Sequence, residues 1–278
     1  MSEGSLAGRI VLITGAARGL GATTAALFKE RGAAGLALVD RDAGAVADVA
    51  AALGGGGCRA TSLGVDIGTA EACAEVLAWL DSSFGAVHGV VNAAAVTDRG
   101  TVWDTTPELW DRMQAVNVRA PFLLMQGAAR IMTREGVPGS MVTIGSMTGH
   151  GGQPTLLPYA VSKGALLVLT KNLAYSLMPH RIRVNQLNLG WMDTPTEDAI
   201  QRRYHGAGDD WQAKAAARLP WGRLIDPSEV ARVLAFLMSD ESGLMSGTAI
   251  DFDQGVLGAG EPVWPSKEPL PEFSDLRP

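Results

Sequence analysis

Short apolar runs rich in β-branched residues alternate along the chain with longer stretches whose apolar positions recur every three or four residues. The short runs are Ile10 to Thr14, Gly35 to Asp40, Cys58 to Asp66, Val87 to Asn92, Ser140 to Gly145, Ile182 to Leu187 and Thr248 to Phe252. Each predicts a strand. The longer stretches, near 20–31, 42–53, 69–83, 106–134, 157–178 and 226–238, predict helices. Strands separated by helices predict an α/β fold, doubly wound, with a mostly parallel seven-stranded sheet and helices on both faces.

Two segments depart from the alternation. Residues 193–219 lie between the sixth strand and the last helix and are rich in charge and aromatics, with Arg202, Arg203, Tyr204, His205 and Trp211. In a doubly wound fold a segment at the carboxyl ends of the strands covers the ligand crevice, so 193–219 predicts a substrate lid. From residue 256 to 278 the prolines exclude regular helix, which predicts an irregular tail. No linker divides the chain, so residues 1–278 are expected to form a single domain. Gly54 to Gly57 predicts a simple connector.

Composition narrows the class. Hydrophobic residues are 47% and charged residues 19%, enough for one large core and unlike a disordered chain. The net charge of -6 argues against nucleic acid as a partner, because phosphate binding needs clustered Lys and Arg. No long apolar segment predicts a membrane span, and Met1 to Arg9 lacks the pattern of a signal peptide, so a cytoplasmic protein without a membrane partner is expected. Cys58 and Cys73 match neither zinc nor redox spacing and are expected to be reduced thiols; the four histidines are scattered, so no metal is expected.

The first strand runs through Thr14-Gly15-Ala16-Ala17-Arg18-Gly19-Leu20-Gly21 into a helix beginning near Leu20. Gly15, Gly19 and Gly21 would let the backbone turn and approach a pyrophosphate held at the helix N-terminus. The second strand ends at Asp40, placed to accept hydrogen bonds from the adenosine ribose and to repel a 2′-phosphate, which favours NAD over NADP. Arg18 and Arg41 pull the other way, since a guanidinium pairs with that phosphate. Asp66 and Ile67 would flank the adenine, and Asn92 with Ala93 the crevice floor.

Tyr159 and Lys163 are four residues apart on one helix face. A phenol with a reference pKa of about 10 becomes a usable acid/base when a lysine cation and a positive nicotinamide ring stand beside it. Ser146 follows the fifth strand, where its hydroxyl would hold the reacting oxygen, and Asn117 lies in the long helix after the fourth strand, where its amide would hold a relay water.

In these motifs, in their order and spacing from Arg9 to Gly255, the sequence resembles the short-chain dehydrogenase/reductase family, its NAD-preferring branch. The resemblance implies a Rossmann-like domain in which Tyr159 is the acid/base, Lys163 tunes it and binds the nicotinamide ribose, Ser146 orients substrate and Asn117 supports the proton relay. It places Gly190, Met192 and Thr194 around the nicotinamide. Three family motifs are altered, to Asn92-Ala93-Ala94-Ala95, Asn188-Leu189-Gly190 and Asp253-Gln254-Gly255. None removes a catalytic group.

For the substrate, the expected contacts are Ser146, His150, Gln153, Trp191, Arg202 and Trp211. Polar forks beside indole faces suit a polyhydroxylated ligand, so the favoured reading is NAD-dependent oxidation of a secondary or anomeric hydroxyl in a sugar, sugar acid or polyol. An NADP-dependent 3-oxoacyl thioester or other ketone reductase is the alternative, and a cofactor-binding scaffold without turnover a third. Family members associate through the long helices, so a homotetramer is expected, with the tail and its Trp264 reaching a neighbouring site.

Overall fold

The computed structural model describes residues 5–256. Its elements run β1 (Ile10–Thr14), α1 (Gly19–Glu30), β2 (Gly35–Asp40), α2 (Ala43–Leu53), β3 (Arg59–Gly64), α3 (Ala70–Phe84), β4 (Gly89–Asn92), α4 (Pro107–Gln114) and α5 (Ala120–Glu135). They continue with β5 (Gly139–Ser146), α6 (Leu157–Leu177), β6 (Ile182–Leu189), α7 (Pro195–His205), α8 (Trp211–Ala216), α9 (Pro227–Met238) and β7 (Ala249–Phe252). The sheet order is β3-β2-β1-β4-β5-β6-β7, and every pairing is parallel. The order reverses between β1 and β4, so the crevice opens at the carboxyl ends of those two strands.

Period-two alternation divides the core. Val11 and Ile13 face a cluster with Phe28 of α1, Val46 of α2 and Leu234 of α9. Leu12 faces the opposite cluster with Val76 and Leu80 of α3 and Leu124 and Ala128 of α5. Both cysteines are buried, and burial pushes their thiols up.

Three predicted spans change. The third strand is shorter than Cys58 to Asp66, because its register with β2 runs only from Arg59 to Gly64. The sixth runs on to Leu189, which pairs with Ser146 on one side and Phe252 on the other. The helix expected over 106–134 is broken by a π-turn at Ala115–Arg119. Pro121 explains the break: it has no N–H to return to the Asn117 carbonyl, and its ring crowds that group in a regular helix.

Residues 193–219 contain α7 and α8 over a small apolar cluster of their own, made by Trp191, Trp211, Ala215 and Leu224. The tail expectation, Trp264 included, falls outside the described residues from 257 onward.

Candidate active site

Thr14 ends β1, and the chain turns at Gly15 with φ +70° and again at Gly19 with φ +52° before α1 begins. Both values lie in the left-handed region that side chains avoid. A Cβ on Gly15 would meet the Ala94 backbone nitrogen at 2.8 Å, and one on Gly21 would clash with the Gly15 carbonyl. The turn therefore packs backbone on backbone. The first turn of α1 carries no acidic residue and no side-chain cap, so its N–H groups remain free for an anion.

These glycines form one end of a cleft of about 960 Å³. Asp40, Arg41, Asp66 and Ile67 line the end expected to take adenosine, Ser146, Tyr159 and Lys163 the wall expected to be catalytic, and Gly190, Met192 and Thr194 line the same cleft. Arg18, Leu20 and Ala93 line it too. Thr194 caps α7 by accepting the Glu197 N–H at 3.1 Å, and its side chain lies close to Gly19 across the cleft. The bare glycine cradle, the free helix N-terminus and the Asp40 carboxylate fit a nicotinamide dinucleotide.

At the adenosine end the charges are arranged in pairs. Asp40 accepts the Ala17 and Asp42 N–H groups, each at 3.1 Å. Asp42 caps α2 through one oxygen, and its other binds Arg18 at 2.6 Å. Arg112 binds Asp66 at 2.6 Å and holds that carboxyl below its ordinary range.

At the catalytic wall, the Ser146 oxygen accepts from the Thr148 N–H at 3.2 Å and the Thr148 hydroxyl at 3.0 Å. With those acceptor sites filled, the Ser146 proton is left to donate into the cleft. Lys163 is buried and donates to the Ile144 carbonyl at 2.7 Å, its Nζ 5.5 Å from the Tyr159 ring centre. Burial pushes Lys163 down to about 8. Burial also pushes Tyr159 up to about 12; the Ser146 hydroxyl draws it down, the Glu197 charge raises it and Arg99 lowers it. Burial thus outweighs Ser146 and Arg99, which lower the phenol, and Lys163 is not among the charges that shift it.

Asn117 occupies the π-turn behind this wall. Its Oδ1 accepts the Val96 N–H at 2.8 Å, and its Nδ2 donates to the Val96 carbonyl at 2.9 Å and the Ser162 hydroxyl at 3.1 Å. The side-chain amide expected to hold a water instead ties the loop after β4 to α6. Asn92 is buried at the end of β4 with no protein partner for its amide, and it does not line the cleft.

The expected substrate contacts divide. Ser146, Gln153 and Trp191 line the cleft; His150, Arg202 and Trp211 do not. His150 lies 3.2 Å from Asp251. Arg202 pairs with Asp198 and Asp209, both at 2.9 Å, and buried Trp211 stacks on Trp191 and donates to Asp198 at 2.7 Å. Among the cleft residues that escaped the sequence reading are Arg99, in the loop after β4, and Glu197, in the first turn of α7. Their position at strand carboxyl ends is the signal that would have pointed to them.

A glycine turn at the β1/β4 crevice and a Ser-Tyr-Lys wall on β5 and α6 define a dinucleotide-dependent oxidoreductase. A family profile described as Enoyl-(Acyl carrier protein) reductase matches residues 15–257. The chain is 32% identical to 2-(S)-hydroxypropyl-CoM dehydrogenase 3 of Xanthobacter autotrophicus, over 90% of this chain and 97% of that protein. It also superposes on a short-chain type dehydrogenase/reductase from Mycobacterium marinum with a TM-score of 0.81 and 31% identity, covering 90% and 96% of the two chains. The L-sorbose reductase of Gluconobacter frateurii, solved with NADPH and L-sorbose, matches with a TM-score of 0.84 and 28% identity over 93% and 99%. The chain belongs to the short-chain dehydrogenase/reductase family, whose members use a nicotinamide cofactor. It is an oxidoreductase acting on CH–OH groups.

Proposed function

We propose that the protein is an NAD-dependent dehydrogenase that oxidises a hydroxyl of a sugar, sugar acid or polyol. The observation that carries this reading is a single cleft with the Asp40 carboxylate at one end and Ser146, Tyr159 and Lys163 beside polar groups at the other. When bound, the oxidised nicotinamide supplies the hydride acceptor and a positive charge beside the tyrosine. Gly15, Arg18, Gly19, Leu20 and Gly21 hold its pyrophosphate end, Asp40 its adenosine ribose, and Thr194 with Met192 its carboxamide end. Ser146 donates to the substrate oxygen, and the Tyr159 phenolate takes the hydroxyl proton. Lys163, donating one N–H to Ile144, keeps two for the cofactor ribose and the relay. Asn117 is a positioning residue: its amide fixes Val96 and Ser162.

Gln153, Trp191, Glu197 and Gln201 at the substrate end offer donors, acceptors and an indole. They suit hydroxyls better than an acyl chain, which favours this reading over 3-oxoacyl thioester reduction. NADPH in the L-sorbose reductase makes both cofactors necessary in any test. A homotetramer is supported by apolar residues on the outer face of α4 to α6, where Val168 and Tyr175 are exposed and a concavity is lined by Trp110, Phe122 and Leu169. A cytoplasmic site accords with the absence, among the described residues, of any helix able to cross a membrane.

The test is a screen of aldoses, sugar acids and polyols with NAD and with NADP, followed by cofactor absorbance. On the best substrate Tyr159→Phe is expected to lower kcat by about 10²–10⁴-fold with little change in KM. Unchanged kcat in that variant rules out the mechanism.

A further inference from the structure

Four arginines line the cleft, at positions 18, 41, 99 and 112. Arg18 and Arg112 are ion-paired with Asp42 and Asp66, and Arg41 adjoins Asp40 at the adenosine end. Arg99 differs from all three. It stands at the substrate end, and its guanidinium forms no ion pair among the described residues.

Its donors are unevenly used. Nη1 donates to the Thr97 carbonyl at 2.8 Å, while Nε is buried without any partner and Nη2 makes no hydrogen bond among the described residues. Buried N–H groups of native proteins are rarely left in this state. The guanidinium is also held in place: its carbon lies 5.9 Å from the ring centre of Tyr204, whose hydroxyl donates to Asp98 at 2.6 Å. Nη2 and the unpaired charge remain for a carboxylate in the cleft, whereas Nε is enclosed by the protein itself.

Glu197 complements it. One oxygen accepts from Trp191 Nε1 and Gln201 Nε2, both at 2.8 Å, and the other makes no hydrogen bond among the described residues. These contacts hold the carboxylate in the cleft without pairing it to Arg99, so it is left as an acceptor for a hydroxyl. The charges of both residues are felt at Tyr159, in opposite senses.

We propose that Arg99 anchors the carboxylate of a hydroxy acid through its guanidinium while Glu197 accepts a second hydroxyl of the same molecule. This rests on reading the cleft as a dehydrogenase site, and it narrows the substrate class from sugars and polyols in general to their acids. A neutral polyol fills Glu197 but leaves the Arg99 charge without a counter-ion.

The test is calorimetric titration of the full chain loaded with NADH, using matched probes: gluconate against sorbitol, and 3-hydroxybutyrate against its methyl ester. The wild type is expected to bind each anion about 10–100-fold more tightly than its neutral partner, the range of a charge-assisted pair. Arg99→Gln is expected to abolish that preference by weakening each anion more than its neutral partner, and Arg99→Lys to restore part of it. A purely structural role, with Arg99 bracing α7 through Tyr204, would weaken both members of a pair alike and overturns the proposal. So does equal binding of the pairs by wild type, or the absence of heat from both anions. Turnover of neutral polyols with NAD alongside equal binding leaves the dehydrogenase reading standing and removes only the anchor. Anion preference in an enzyme whose turnover survives Tyr159→Phe does the reverse.

Discussion

The proposed NAD preference rests on three charged side chains, Asp40, Arg18 and Asp42, and separating them gives a quantitative test. In Asp40→Ala the ribose loses its carboxylate acceptor, and hydrogen bonds to a charged group contribute about 1.5–3 kcal/mol each. One such bond lost lowers kcat/KM for NAD by about 10–100-fold. NADP gains in the same variant. A 2′-phosphate carries about -1.5 to -2 charges, and a like charge about 4 Å away costs between about 1 and 4 kcal/mol per unit charge as the effective dielectric falls from about 80 to about 20. Removing that repulsion raises kcat/KM for NADP by at least about tenfold, so the NAD/NADP ratio swings by about 10²–10³.

Arg18 is withheld from a 2′-phosphate by Asp42 at 2.6 Å. Asp42→Asn keeps an oxygen to cap the Ala45 N–H of α2 and frees the guanidinium, and the exposed pair it breaks adds little stability. Added to Asp40→Ala, it is expected to raise NADP use several-fold further without affecting NAD. The assay is steady-state kinetics with both cofactors. Melting curves accompany it, because Asp40→Ala also loses acceptors for the Ala17 and Asp42 N–H groups. A folded Asp40→Ala enzyme whose ratio stays where it was would refute the assignment of Asp40 to the ribose.

Two further predictions concern the buried lysine and the glycine turn. Lys163 is pushed down to about 8, so the folded protein binds fewer protons than the unfolded chain between pH 8 and the ordinary lysine value of 10.5. Wild-type stability relative to Lys163→Met must therefore rise through that window, by roughly 3 kcal/mol at most, and be lowest below pH 8. Tyr159, pushed up to about 12, opposes this only above its ordinary value of 10, and parallel denaturation curves for the two proteins from neutral pH to pH 10 would count against the burial argument. In Gly21→Ala the new methyl meets the Gly15 carbonyl, so the turn must shift; the expected result is a KM for NAD raised by about tenfold or more and a loss of about 1–3 kcal/mol, and unchanged cofactor titration would show the turn to be compliant.

Much of this was readable from periodicity and spacing. The parallel seven-stranded sheet follows from the alternation, though its strand order does not, and the Gly15 turn, Ser146, Tyr159 and Lys163 face one cleft because each sits at a strand end or on one helix face. What failed depended on partners. Arg202 binds Asp198 four positions back, a helical neighbour visible in sequence, but nothing local showed that this pairing would win over a substrate. His150 binds Asp251 across 101 positions, and Trp211 is drawn under Trp191 by an apolar cluster assembled only on folding. Arg99 was missed for the opposite reason: no motif marks the loop that carries it, and only the fold brings it to the cleft without an ion pair among the described residues.

The same limit explains the tyrosine. Spacing puts Lys163 beside Tyr159, and charge alone would then make the phenolate. Packing sets desolvation against it: the wall that brings the two side chains together also buries both, pushing the phenol up and the ammonium down. Burial therefore favours the neutral form of each side chain. Glu197 adds to the burden on the phenol, while Arg99 relieves it. A carboxylate seated on Arg99 would remove much of that relief, leaving the cofactor's positive charge and Lys163 as the counterweights. The two groups proposed to choose the substrate thus also bear on the charge of Tyr159, in opposite directions.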